Sequence, residues 1–147
     1  MQRRHRGFTL VELLVVLAIM AAAYAIAAPM ISAGMSGTEL KSAARQVAAG
    51  LRKARSEAVT RKNEVALNLD LELRQFELSG EKRIYSLPKS IEVGLYTAQS
   101  ELKNDKTGSI RFYPDGSSTG GRITVGVGER KLYVNVDWLT GQVAILD

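Results

Sequence analysis

A chain of 147 residues with 20 Lys and Arg, 15 Asp and Glu, one His and no Cys, at a formal net charge of +5, leaves several kinds of chemistry out. Without cysteine there are no disulfide staples, thiol nucleophiles or thiolate metal sites. The only histidine, His5, stands in a basic leader, so the domain behind it has no His for a triad, a general base or a metal.

Removing Arg3, Arg4 and Arg6 takes the basic count from 20 to 17 against 15 acidic residues, a balance of +2, which is weak ground for a polyanion partner. Behind those arginines comes Gly7-Phe8-Thr9-Leu10-Val11-Glu12, opening an apolar run that lasts to Ile31. As a helix at ~1.5 Å per residue, Phe8 to Ile31 reaches about 36 Å, enough for a ~30 Å hydrocarbon core. The flanking arginines place the N-terminus in the cytoplasm and everything after Ser32 outside. Glu12 needs an explanation, because a carboxylate among lipid tails costs a few kcal/mol. A cut between Gly7 and Phe8 would supply one: the new Phe8 ammonium of a neighbouring copy could neutralise Glu12 at low dielectric. Two plainer readings compete, a secretory signal cleaved near Ala25-Ile26-Ala27 and an uncut anchor. A secretory h-region is usually free of charge, and an uncut anchor leaves Glu12 unpaired.

Gly-Phe-Thr-Leu-Val-Glu-Leu after a short basic leader resembles the class III signal of type IV pilins and type II secretion pseudopilins. The resemblance implies cleavage after Gly7 by a prepilin peptidase, N-methylation of Phe8, and assembly of the helix into a filament core through Glu12. Residues 1–7 are then a cleaved leader and 8–35 a transmembrane and filament-core helix. Ala21-Ala22-Ala23 and Ala27-Ala28 give that helix a small-residue surface suited to close packing. Pro29, Gly34 and Gly37 predict a bend or partial unwinding, a candidate hinge.

Thr38 reads as the N-cap of an amphipathic helix, placed within residues 36–63 and running to about Arg61. Leu40, Ala44, Val47, Leu51, Ala54 and Ala58 recur at three- and four-residue steps and mark its buried face. Lys41, Arg45, Arg52, Arg55 and Arg61 lie off that stripe and read as a solvated basic flank, with Glu57 and Arg61 at the favourable i, i+4 spacing.

Past Asn63 the period changes to two. Strands are expected at 65–69, 75–78, 83–87, 91–96, 110–113, 123–127, 132–136 and 143–145, with an exposed loop from Ala98 to Gly108. Pro114-Asp115-Gly116 is a turn, since Pro presets φ and Gly accepts a positive φ. One long helix followed by a run of strands gives an α+β class, the helix packed on antiparallel sheet, with 64–147 as the β-rich globular domain.

Phe112 to Gly121, containing Pro114, Asp115, Gly116, Gly120 and Gly121, and the terminal segment Trp138 to Val143, containing Thr140 and Gly141, resemble the closing signature of the GspH-type minor pseudopilins and related FimT-type pilins. The resemblance implies a pilin-like fold and a minor subunit near the tip of the periplasmic pseudopilus of a type II secretion system. It also implies a single-pass inner-membrane location with the β domain periplasmic. Expected partners are other major and minor pseudopilins, the prepilin peptidase, the inner-membrane assembly platform and secreted substrate proteins. A FimT-like DNA-capturing pilin is the alternative, but the tail from Gly141 to Asp147 is apolar and ends acidic, which counts against nucleic acid. Neither a cofactor nor a metal is expected: Asp105, Asp115 and Asp137 read as turn or solvated residues, and Gly120-Gly121 lacks the phosphate-loop context. Trp138 reads as a core residue.

Overall fold

The computed structural model describes residues 9–147, with the side chains of 26–36 left aside. Helix α1 spans Leu10–Arg61. Its start is a capping motif, the Thr9 hydroxyl accepting the Glu12 N–H at 3.2 Å. Its end is a left-handed residue, Lys62 at φ 55°, which turns the chain out of the helix. The backbone stays helical through Pro29, Gly34 and Gly37, where partial unwinding was expected; a proline removes one backbone donor and leaves the remaining ladder able to hold. Thr38 accordingly lies inside the helix and does not begin it.

The chain divides into two units, Met1–Met35 and Ser36–Asp147. In the second, the expected stripe is the buried one: Leu40 is 4% exposed, and Ala44, Val47, Leu51, Ala54 and Ala58 are all at 0%. Burying a leucine such as Leu51 stabilises by about 1.5–3 kcal/mol. Gly50 lets the helix approach the sheet, because a Cβ there would sit 2.6 Å from the Phe76 ring.

Nine strands follow: β1 Val65–Asp70, β2 Gln75–Leu78, β3 Ile84–Ser86, β4 Glu92–Thr97, β5 Leu102–Asn104, β6 Thr107–Phe112, β7 Gly121–Val127, β8 Arg130–Val136 and β9 Val143–Leu146. They form two antiparallel sheets, ordered β3-β2-β1-β6-β5 and β4-β7-β8-β9. Leu67, Phe76, Ile110 and Phe112 from the first sheet and Ile123, Val125 and Val134 from the second join the helix stripe in one core. The alternation read from the sequence is the pleat itself: on β8, Leu132, Val134 and Val136 point in while Tyr133 and Asn135 are only half-buried.

The stretch from Ala98 to Gly108 is not the open loop expected. It folds into a 3-10 turn, Gln99–Glu101, and a hairpin pairing β5 with β6. Asn104 makes the hairpin, its side-chain oxygen accepting the Lys106 and Thr107 N–H groups at 2.8 Å each.

Candidate functional site

At the N-terminal end, Gly7 and Phe8 lie outside the described residues, as do the side chain of Pro29 and the surroundings of Gly34. Glu12 falls in the first turn of α1, where the helix N-terminus favours a carboxylate. Around it the apolar side chains face outward, uncovered by any of the described residues, from Leu10 at 75% exposed to Val16 at 44%. Among the described residues no helix is long and apolar enough to cross a membrane, and the expected span, Phe8–Ile31, runs past the described side chains at both ends.

The closing signature assembles around the junction of the two sheets. After β6, Tyr113-Pro114-Asp115-Gly116 makes a tight turn, with the Gly116 N–H donating to the Tyr113 carbonyl at 2.9 Å. Asp115 holds the turn by accepting the Ser117 hydroxyl at 2.6 Å and its amide at 3.0 Å, and these bonds keep its carboxyl below the usual range. The chain then crosses between sheets through Gly120 and Gly121, at φ 70° and 148°. A side chain at either would collide: a Cβ on Gly120 would lie 2.9 Å from the Trp138 Cβ, and one on Gly121 would lie 2.6 Å from the Tyr96 carbonyl oxygen. Asp137 organises the final turn, accepting the Thr140 amide at 2.8 Å and its hydroxyl at 2.9 Å and the Leu139 amide at 3.1 Å, with its carboxyl lowered as a result.

Two helix arginines tie into this region. Arg55 donates from Nε to the Gly116 carbonyl at 3.2 Å, and Arg52 donates from Nη2 to the Val143 carbonyl at 3.1 Å. Arg55 is half-buried and so leaves the solvated flank that the stripe implies, whereas Arg52 and Arg61 are exposed as expected, Arg61 pairing with Glu57 at 3.4 Å. Gly141 completes the contact, since a Cβ there would meet the Gly116 carbonyl and stand 2.9 Å from Arg55 Nε.

Trp138 corrects the sequence reading, being 65% exposed rather than in the core. The turn led by Asp137 directs the ring outward. A second group that sequence did not single out is Glu101, only 7% exposed. It accepts a hydrogen bond from the Ser109 hydroxyl and pairs with Arg111 Nε at 3.0 Å. Burial pushes this carboxyl up, but the Arg111 and Ser109 hydrogen bonds outweigh it and hold the group below its ordinary value. Arg111 also reaches Glu64 at 3.2 Å. Every member of this cluster has its partner, an arrangement that fastens the 3-10 turn to β6. No group of acidic or histidine side chains able to hold a metal occurs among the described residues.

A capped helix bearing an uncovered apolar N-terminal part, with a β domain of two antiparallel sheets closed on its later turns, defines the pilin-like class. Solved structures share this fold: the minor pseudopilin EpsH of the Vibrio cholerae type 2 secretion system has a TM-score of 0.58 at 12% identity, over 74% of this chain and 96% of that one. The type IV minor pilin FimU of Pseudomonas aeruginosa matches at 0.58 and 16% identity, over 75% and 90%. Residues 43–140 match the family model of the type II transport protein GspH, and residues 2–28 match the prokaryotic N-terminal methylation motif. A type II secretion system protein H of Xanthomonas campestris is 34% identical over 142 residues, 97% of this chain and 83% of that protein. The chain belongs to the GspH family.

Proposed function

We propose that this chain is a minor pseudopilin of a type II secretion system, a structural subunit and not an enzyme, that enters the tip region of the periplasmic pseudopilus. A prepilin peptidase cuts after Gly7 and Phe8 becomes the N-methylated terminus. The helix sits in the inner membrane with its start on the cytoplasmic side, and the assembly platform draws it into a filament beside other major and minor pseudopilins. Glu12 meets the amine of a neighbouring subunit. The β domain is left to contact those subunits or the secreted proteins, and residues 29–37 serve as the hinge.

The observation that carries this reading is the joining, in one chain, of a GspH-family β domain to an apolar helix in which Glu12 is the only charged residue between Phe8 and Ile31. DNA capture is not favoured, because β9, Val143–Leu146, is apolar and offers no cation to phosphate. Mass spectrometry of the protein taken from its native envelope tests the proposal. A mature chain starting at N-methylated Phe8 is expected; a start at Met1, or at an alanine beyond the apolar run, overturns it.

A further inference from the structure

The signature glycines do more than join the sheets, because each one lies against the backbone of an exposed aromatic residue. Gly120 abuts Trp138 and Gly121 abuts Tyr96. Tyr96 is 78% exposed and Trp138 65%. Both line one trough of about 550 Å³, within the size range of small-ligand sites. Large aromatic surface left in water by a rigid backbone is costly to hold and is characteristic of recognition surfaces.

The backbones under both rings are fixed. Trp138 receives the Ser118 N–H on its carbonyl at 2.9 Å and sits between the bonds that Asp137 makes to Leu139 and Thr140. Tyr96 is paired across to Arg122 on β7. Little order would have to be gained on binding.

The remaining lining weighs three ligand classes against one another. Asp137 is the only charged side chain on the trough wall, and the neighbouring cation, Arg122, is taken up by Asn135 at 2.7 Å and by the Tyr133 ring at 5.3 Å, which counts against phosphate and other anions. Val136, Ala98 and Ala144 give it only small aliphatic surface beside the rings, and a protein segment is the competing occupant, since tryptophan and tyrosine also anchor protein interfaces. What it offers beside the rings is uncharged hydrogen-bonding groups. Asn135 spends its Oδ1 on Arg122 Nε at 2.7 Å, which leaves its amide N–H donors for a ligand, and Gln142 is exposed on the same wall. Flat apolar rings next to amides match a molecule with C–H faces and a rim of hydroxyls.

We propose that the Tyr96–Trp138 trough is a carbohydrate site for a neutral oligosaccharide, its sugar faces stacked on the two rings and its hydroxyls held by Asn135 and Gln142. This goes beyond the pseudopilin reading and does not rest on it.

Trp138 is the only tryptophan in the chain, so fluorescence excited at the red edge, where the five tyrosines do not absorb, reports from the site alone. The full chain, held in a detergent without a sugar headgroup, is titrated with tetramers of N-acetylglucosamine, of β-1,4-linked glucose and of α-1,4-linked glucose. At least one should shift the emission saturably, with a Kd on the order of 0.1–1 mM. Tyr96→Ala and Asn135→Ala should each weaken that binding at least about tenfold, while Lys103→Ala, away from the trough, should not. Since Tyr96 is exposed, its variant should keep the wild-type circular dichroism spectrum, and Asn135→Ala provides an independent reading. No saturable shift with any tetramer up to about 10 mM overturns the proposal. So does a shift that survives Tyr96→Ala, or one produced only by an uncharged peptide or by a salt-sensitive polyanion.

Discussion

Gly141→Ala tests whether the closing signature is a steric lock. Gly141 sits at φ 63°, and its Cβ would meet the Gly116 carbonyl and crowd Arg55. Left-handed backbone costs an L-residue about 1–2 kcal/mol. The new methyl must also displace Arg55 from its bond to the Gly116 carbonyl, and a hydrogen bond from a charged group contributes about 1.5–3 kcal/mol. The total should be about 3–5 kcal/mol. Gly128 is an internal control: it has a similar φ of 58° but no atom within 4 Å of where a methyl would stand, so Gly128→Ala should cost only the backbone share. Urea unfolding of both variants, followed by the fluorescence of the single Trp138 and by circular dichroism, gives the difference directly. A Gly141→Ala variant within about 0.5 kcal/mol of Gly128→Ala would refute the lock.

Other outcomes follow from the core and its buried charge. Gly50→Ala should destabilise by about 1–3 kcal/mol through overpacking on the Phe76 ring, although alanine is the better helix former by about 1 kcal/mol; a gain in thermal midpoint would contradict the close approach. Glu101, with its carboxyl lowered in the folded state, contributes stability that is fully present above the unfolded value near ~4.3 and is lost as pH falls through the folded value. Glu101→Gln should therefore cost about 1–3 kcal/mol at pH 7 and show a smaller loss of urea midpoint than wild type between pH 5 and pH 3, values chosen to bracket the ~4.3 of a free glutamate. Equal acid sensitivity in the two proteins would remove Glu101 from the acid response.

How far the fold was legible depended on whether local pattern or tertiary pairing decided each element. The 3.6-residue stripe from Leu40 to Ala58 faces the core, widened by its neighbours Ala43 and Ala48, because the large apolar side chains of this part of the helix, Leu40, Val47 and Leu51, all fall on it, and the alternation in β7 and β8 survives because each strand buries one face. The 98–108 stretch defeated this logic. Lys103, Asn104, Asp105 and Lys106 look like loop residues, yet Asn104 is the turn of a short edge hairpin, and Glu101 is buried only because Arg111 and Ser109 come to it from another strand. An Asn-Asp pair between short segments was the signal available. Trp138 was misplaced because an aromatic residue defaults to the core, and the Asp137-led turn that aims it outward is legible only as a spacing, Asp137 to Thr140. Arg55 offered no signal at all, since a helical wheel places it off the stripe without saying that a carbonyl waits there.

Glu12 has a second role in the folded chain beside the one its charge suggests. Thr9 and Glu12 stand at the positions of a capping box, with the Thr9 hydroxyl on the Glu12 amide. A carboxylate in the first turn gains about 0.3–1 kcal/mol from the helix N-terminus, whereas its insertion among lipid tails costs about 2.5–3.5 kcal/mol. The cap therefore offsets only a fraction of the cost of a carboxylate at helix-centre depth, and the proposed pairing with another subunit's amine would supply the rest. Glutamine separates the two roles, since it can serve the box but carries no charge. Glu12→Gln and Glu12→Ala should both be cleaved after Gly7 and reach the membrane, and both should lose incorporation into sheared filaments by at least about tenfold. Were the glutamine variant to assemble like wild type while the alanine variant failed, the cap and not the charge would be the assembly determinant, and the pairing of Glu12 with a neighbour's amine would have to be abandoned.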